Sequence, residues 1–227
     1  MSTLYIVATP IGNLGDISKR AEEVLASVHY IACEDTRTSG VLLNHLGINA
    51  STFAFHQHNE HQKVEHLINI LDAHQDVAVI SDAGMPGISD PGFLAVRAAH
   101  QAGHTVSVIP GPDAATTALV ASGLPCDKYV FEGFLPQKKG RQKQLKQLVD
   151  EERSVVLYES PYRLQKLLKE LRKYMGDQRM VAVCRELTKK FEEVVRGPLK
   201  SVFDRFELRE EVKGEIVVII APKSYSE

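Results

Sequence analysis

Cysteine is scarce and unpaired in this sequence. Cys33, Cys126 and Cys184 lie far apart in 227 residues, and no C-x-x-C pair occurs. An odd, dispersed set excludes a disulfide framework and fits reduced thiols packed in apolar surroundings. Charge of either sign is not in excess: 27 Lys and Arg against 29 Asp and Glu leave a formal net charge of −2. No overall field draws a polyanion to the chain, so any nucleic-acid contact has to come from a local patch. No apolar run approaches the length of a membrane span, and the start, MSTLYIVATP, lacks the basic region and long apolar core of a signal peptide. A cytoplasmic protein with no membrane partner is expected. Two phosphate-binding signatures are also missing. No G-x-G-x-x-G follows the first apolar run and no G-x-x-x-x-G-K-[ST] occurs, which excludes a Rossmann dinucleotide fingerprint and a P-loop.

What is present is an alternation of short β-branched runs with amphipathic stretches. Strands are expected at 4–8, 29–33, 51–55, 76–81 and 105–110, with helices at 17–27, 38–46, 60–73 and 90–102. Alternation of this kind predicts a parallel-rich α/β domain. Pro110-Gly111-Pro112 breaks the pattern, and a second series follows. Its helices are expected at 113–122, 141–152, 161–174 and 199–208, and its strands at 129–134, 154–159, 179–184, 191–197 and 215–220. The fold class is therefore α/β with two domains, 1–112 and 113–227.

Ligands of open α/β sheets bind beyond the carboxyl ends of strands, and three such ends are unusual here. One is Ala8–Asp16 after the first strand, one is the Pro110–Asp113 turn, and one is Ser81-Asp82-Ala83-Gly84-Met85-Pro86-Gly87-Ile88-Ser89-Asp90-Pro91-Gly92. Its glycines permit positive φ or close approach of a ligand, and its prolines stiffen the loop. Asp90 and Pro91 read as N-cap and first residue of the next helix. Asp82, Gly84 and Gly87 exceed what such a cap needs and point to a ligand.

The segments LYIVATPIGNLGDIS, IACEDTRTSGVLLNHLGI, FHQHNE, VISDAGMPGISDPG, VIPGPDAATTALVASGLP, FEGFLPQKKG, LYESPYRL and CRELTKKFEEVVRG resemble, in order, the ribosomal RNA small-subunit methyltransferase I family, a branch of the tetrapyrrole methylase superfamily. The resemblance runs from about residue 3 to 221. It implies a tetrapyrrole-methylase-like fold with S-adenosyl-L-methionine in a cleft between two domains, and a homodimer. It also implies 2′-O-methylation of a cytidine ribose in the decoding region of 16S rRNA in the small ribosomal subunit. Carried over position by position, it implies cofactor contacts at Pro10, Ile80, Ser81, Asp82, Met85, Asp113, Ala114, Glu159, Leu187 and Glu215, to which the loop reading adds Gly84. S-D-A-G stands where the tetrapyrrole-acting relatives have G-G-D-P, which argues against a porphyrin substrate.

A ribose hydroxyl is a weak nucleophile at neutral pH and calls for a proton acceptor. Glu34-Asp35-Thr36-Arg37 follows a strand and offers catalytic or RNA-contacting groups, Arg37 as a bidentate phosphate ligand. The same four residues also make an ordinary helix entrance capped by Asp35 or Thr36. His58 and Asn59 are candidates to face the substrate. His56, His58 and His61 approximate the H-x-H-x-D-H zinc run of metallo-β-lactamase-type hydrolases, with Glu60 for the aspartate, but no acidic partner motif accompanies them and no metal is expected. Lys138, Lys139, Arg141 and Lys143 form the densest basic patch and read as RNA phosphate contacts or as a solvated helix face. Glu159 reads as a cofactor residue or as a buried partner of Arg163. The rival functions are tetrapyrrole C-methylation, zinc-dependent hydrolysis and a non-enzymatic nucleotide-sensing module.

Overall fold

A computed structural model describes residues 2–227. The chain divides into two compact units, the first ending at Asp113 and the second beginning at Ala114.

The first unit runs β1 (Thr3–Val7), α1 (Lys19–Ser27), β2 (Tyr30–Cys33), α2 (Thr36–His45), β3 (Ser51–Ala54), α3 (Glu60–Asp72), β4 (Val77–Ile80), α4 (Phe93–Gln101) and β5 (Thr105–Ile109). Its five strands lie in the order β3-β2-β4-β1-β5, and every pairing is parallel. Helices cover both faces, which is why β4 reads as an unbroken apolar run. Leu67, Leu71, Ala95 and Ala99 of α3 and α4 pack on one face, and Ala21, Leu25 and Leu43 of α1 and α2 on the other. Ser18 caps α1 by accepting from the Ala21 N–H.

The second unit runs α5 (Ala114–Ala121), β6 (Tyr129–Phe134), α6 (Arg141–Gln147), β7 (Ser154–Glu159), α7 (Leu164–Met175), β8 (Met180–Arg185), β9 (Glu193–Pro198), α8 (Leu199–Glu207) and β10 (Ile216–Ile220). Its sheet has the order β6-β7-β10-β8-β9 and is mixed, with β6 and β7 parallel and the other pairs antiparallel. Leu145, Leu164, Leu168, Leu171, Val202 and Phe206 fill the core between this sheet and α6, α7 and α8. The α7 stripe recurs at helical spacing, as an amphipathic helix requires. Two of the three cysteines, Cys33 and Cys184, are buried, whereas Cys126 is exposed, outside the packing role its apolar surroundings suggest.

Three expectations need correction. The helix expected at 90–102 starts at Phe93 with Gly92 as its N-cap, so Asp90 does not cap it. Glu60 does that work from α3, its Oε1 accepting from Gly92 N at 3.0 Å and Leu94 N at 3.1 Å. The helix expected at 141–152 shortens to α6 and a 3₁₀ turn over Leu148–Asp150. Arg141 is not an exposed phosphate ligand: it is 3% exposed. Its Nε donates to Glu170 Oε2 at 2.8 Å, its Nη2 to Glu159 Oε2 at 3.4 Å and its Nη1 to the Pro136 carbonyl at 3.3 Å. One guanidinium thereby ties α6 to β7 and α7.

Removing one partner from a buried ion pair strands the other charge, at a cost of about 3–5 kcal/mol. Arg141→Met should lower the urea unfolding free energy by about that much. Lys139→Gln, two residues away and exposed, should change it by less than about 0.5 kcal/mol.

Candidate functional site

The site is built at the carboxyl ends of β1, β2, β4 and β5. Because β1 lies between β4 and β5, the three unusual loops leave the sheet side by side. Thr9 and Gly84 exchange two backbone hydrogen bonds, Thr9 N to Gly84 O at 2.9 Å and Gly84 N to Thr9 O at 3.0 Å. The Thr9 hydroxyl donates to the Ser81 carbonyl at 3.1 Å, and Ala8 N to Ile109 O at 3.3 Å. Gly84 sits at φ +86°, where a side chain is strained, and a Cβ there would lie 3.4 Å from Ile11 Cγ2 and 3.8 Å from the Pro112 carbonyl. A Cβ on Gly111 would come within 2.9 Å of the Ala8 Cβ. The backbones therefore meet where only small residues fit. A cavity of about 300 Å³ opens beside them, lined by Thr9, Pro10, Leu14, Thr38, Val41, Leu42 and Asp82.

Adjacent strands β2 and β4 end in interlocked acidic residues. Asp82 N donates to Glu34 Oε2 at 3.3 Å, and Asp35 N donates to Asp82 Oδ1 at 3.1 Å. Burial raises the pKa of Glu34 and of Asp82, each opposed by the N–H it accepts. Asp35 is held down at about 2 by Arg37, whose Nε and Nη2 donate to its two oxygens. Asp35 is also the N-cap of α2, accepting from Arg37 N at 2.8 Å. Burial and then repulsion from Glu34 and Asp82 push Asp90 up to about 7.

The remaining expected residues divide by what their side chains touch. Ile80 and Ser81 are turned inward, the Ser81 hydroxyl donating to the Gly84 carbonyl at 3.1 Å, so neither side chain is open to a ligand. Met85 packs on the core beside α3 and α4. Asp113 and Ala114 stand at the start of α5. The Glu159 carboxylate is not open to a cofactor. Its Oε1 accepts from Ser160 N and Arg163 Nε, both at 2.8 Å, and its Oε2 from Arg141. Leu187 is buried, and Glu215 pairs with Lys189 at 3.1 Å. Asn59 does not face a substrate with its amide, which accepts from His56 N at 2.8 Å and donates to the Ala54 carbonyl at 3.2 Å. His58 is exposed, its ring edge-on to His56 at 6.0 Å. Among the described residues no group of three or more His, Cys, Asp or Glu is placed to hold a metal, and no helix is long and apolar enough to cross a membrane. Lys138, Lys139 and Lys143 are exposed.

Residues 3–202 match the family model described as Tetrapyrrole (Corrin/Porphyrin) Methylases. The methyltransferase CobJ superposes with a TM-score of 0.75 at 16% identity, over 100% of this chain and 97% of that one. Uroporphyrin-III-C-methyltransferase from Thermus thermophilus superposes with a TM-score of 0.67 at 18% identity, over 98% and 96%. The fold is that of the tetrapyrrole methylases. Ribosomal RNA small subunit methyltransferase I of Escherichia coli O157:H7 is 49% identical over 219 residues, 96% of this chain and 77% of that protein. Its namesake in a Synechocystis strain is 46% identical over 222 residues, 97% and 79%. The chain belongs to the ribosomal RNA small subunit methyltransferase I family. Methyltransferases of this family use S-adenosylmethionine.

The Asp90 carboxyl has a consequence for stability. Below about pH 4 it is protonated folded and unfolded alike. As pH rises from there to about 7, the unfolded chain releases the proton first, and stability falls. Asp90→Asn should therefore raise the melting temperature over wild type at pH 8, with the gain shrinking toward pH 4.5. An equal gain at both would mean that the carboxyl titrates normally.

Proposed function

We propose that this chain transfers the methyl group of S-adenosylmethionine to the 2′-hydroxyl of a cytidine ribose in the decoding region of 16S rRNA, acting in the cytoplasm on the small ribosomal subunit and as a homodimer. The observation that carries this reading is the identity of 45–49% across nearly the whole chain to proteins named ribosomal RNA small subunit methyltransferase I. The resemblance of the quoted motifs to the same family supplies the finer target.

The chemistry of the strand ends fits the cofactor. The donor is a sulfonium that supplies a methyl cation equivalent. Glu34 and Asp82 offer carboxylates to a cation, and Gly84, at positive φ, adds no side chain beside Ile11 and Pro112. We assign cofactor contacts to Pro10, Asp82, Gly84, Met85, Asp113 and Ala114, to backbone groups at Ile80 and Ser81, and in the second unit to Leu187 and Glu215. Holding the hydroxyl in line with the methyl supplies much of the rate. Lys138, Lys139 and Lys143 contact RNA phosphates, and Arg37, 89% exposed on its side chain though paired with Asp35, is a further phosphate ligand.

Three measurements test this. Asp82→Ala and Gly84→Val should weaken calorimetric binding of S-adenosylmethionine by about tenfold or more. Wild-type affinity in both would remove that loop from the cofactor site. Nucleoside mass spectrometry of 16S rRNA methylated by the purified protein should show 2′-O-methylcytidine; a base-methylated product would refute the ribose assignment. In a separate salt titration, glutamine at Lys138, Lys139 and Lys143 should reduce the dependence of rRNA binding on salt by about one unit of slope for each phosphate no longer neutralised.

A further inference from the structure

Four titratable side chains converge at the carboxyl ends of β2, β3 and β4. Glu34 follows β2, His56 follows β3, and Asp82 and Asp90 lie on the loop after β4. Asp90 faces the charges of Glu34 and Asp82; Glu34 in turn faces His56, and Asp82 faces Asp35 and Arg37. The other carboxylates here have structural employment. Glu34 and Asp82 each accept a backbone N–H, and Asp35 caps α2 and holds Arg37.

Asp90 has none. No hydrogen bond or ion pair holds its carboxylate among the described residues, and the helix it stands before is capped by Glu60 instead. It is half-buried, and two other carboxylates repel it. Such a group weakens the fold when ionised, so packing does not account for it. The loop nonetheless holds it in place. Ser89 adopts a left-handed φ of +63°, and Gln57 Nε2 donates to the Ser89 carbonyl at 3.2 Å. The neighbouring His56 Nδ1 is buried without a hydrogen-bond partner, a second polar atom at these strand ends that the folded chain leaves unsatisfied.

We propose that Asp90 is the general base of the methyl transfer, taking the proton of the ribose 2′-hydroxyl as its oxygen receives the methyl group. This rests on the reading of the reaction given above. The new O–C bond forms from an oxygen lone pair while the S–C pair returns to sulfur, which loses its positive charge. The O–H pair stays on oxygen, and the proton goes to an Asp90 carboxylate oxygen and thence to water. One cation and one carboxylate disappear in the same step, which a half-buried site favours because it separates no charge. Glu34 and Asp82 are weaker bases by comparison, since the N–H groups they accept stabilise their ionised forms. Asp90, with a pKa of about 7, combines a substantial ionised fraction at neutral pH with a strong pull on the proton.

The test measures Asp90→Asn and Asp90→Glu against wild type, with small subunits as substrate. Loss of a positioned base costs about 10²–10⁴-fold in rate. We expect kcat of Asp90→Asn to fall by at least about a hundredfold, with calorimetric binding of S-adenosylhomocysteine within about twofold. The wild-type rate should climb with pH through an apparent pKa near 7; the asparagine variant should lose that limb and the glutamate variant should recover it with a shifted midpoint. An asparagine variant within about threefold of wild type overturns the proposal. So does loss of S-adenosylhomocysteine binding in both variants, which would make Asp90 a cofactor or structural residue. Digestion of the wild-type product separates the two levels of the argument. If the methyl group is not on O2′, the reading of the reaction fails and the role of Asp90 falls with it; if it is on O2′ and the asparagine variant stays active, only the base is wrong.

Discussion

The pair of backbone hydrogen bonds between Thr9 and Gly84 organises the first unit's functional end. The sheet order places β1 beside β4, but a strand order alone does not fix what loops do after the strands stop. The Thr9–Gly84 bridge extends the pairing past the sheet and makes the two loops one surface. It needs a residue that tolerates φ +86° with Ile11 in contact, hence glycine. The close approach of Gly111 to Ala8 brings the third loop to the same place. With the loops joined in this way, Asp82 can meet both the Glu34 carboxylate and the Asp35 amide. The acidic group is thus a product of backbone constraints, set rigidly on strand ends rather than on long free loops.

Acidic groups crowded together are costly, and each of them but one is compensated locally. Glu34 and Asp82 receive N–H bonds, and Asp35 receives a guanidinium. The second unit handles charge differently, through arginines. Glu193 on β9 takes Arg185, Arg205 and Arg209, and its pKa is held at about 2, chiefly by Arg209. Glu159 takes Arg141 and Arg163. Against that background the unpartnered Asp90 stands apart.

Most strands are legible in the sequence because they are short, β-branched and bounded by turn residues, and the parallel sheet of the first unit follows from their alternation with amphipathic stretches. The second unit's mixed sheet is not, since periodicity says nothing of strand direction. Glu192 and Glu193 look out of place in a strand; the three arginines around Glu193 explain the second of them. The start of α4 misleads because Asp-Pro is a strong local cap signal, while the real cap, Glu60, is 32 residues away in sequence and is supplied by tertiary packing. Arg141 misleads for a related reason. In sequence it sits among Lys138, Lys139 and Lys143, and only the fold brings Glu159 and Glu170 to it. Of the site, the three loops and the Asp35 cap can be read from the chain, and so can the buried partnership of Glu159 with Arg163. The convergence of Asp90 with Glu34 and Asp82 cannot, because it joins loops that follow different strands.

Every arginine of the second unit is engaged: Arg153 with Glu151, Arg172 with Asp177, Arg196 with Glu227, and Arg179 with three backbone carbonyls, besides those already named. Guanidinium is suited to this, with a planar fork of donors and weak hydration. The lysines at 138, 139 and 143 are left exposed to solvent. Around α6 positive charge is thus divided by residue type, Arg141 serving as mortar and Lys138, Lys139 and Lys143 as the field seen from outside. Acetylation of those three amines would erase that local field and leave the Arg141 ion pairs intact, so the surface potential there can be changed chemically without disturbing what holds α6 in place.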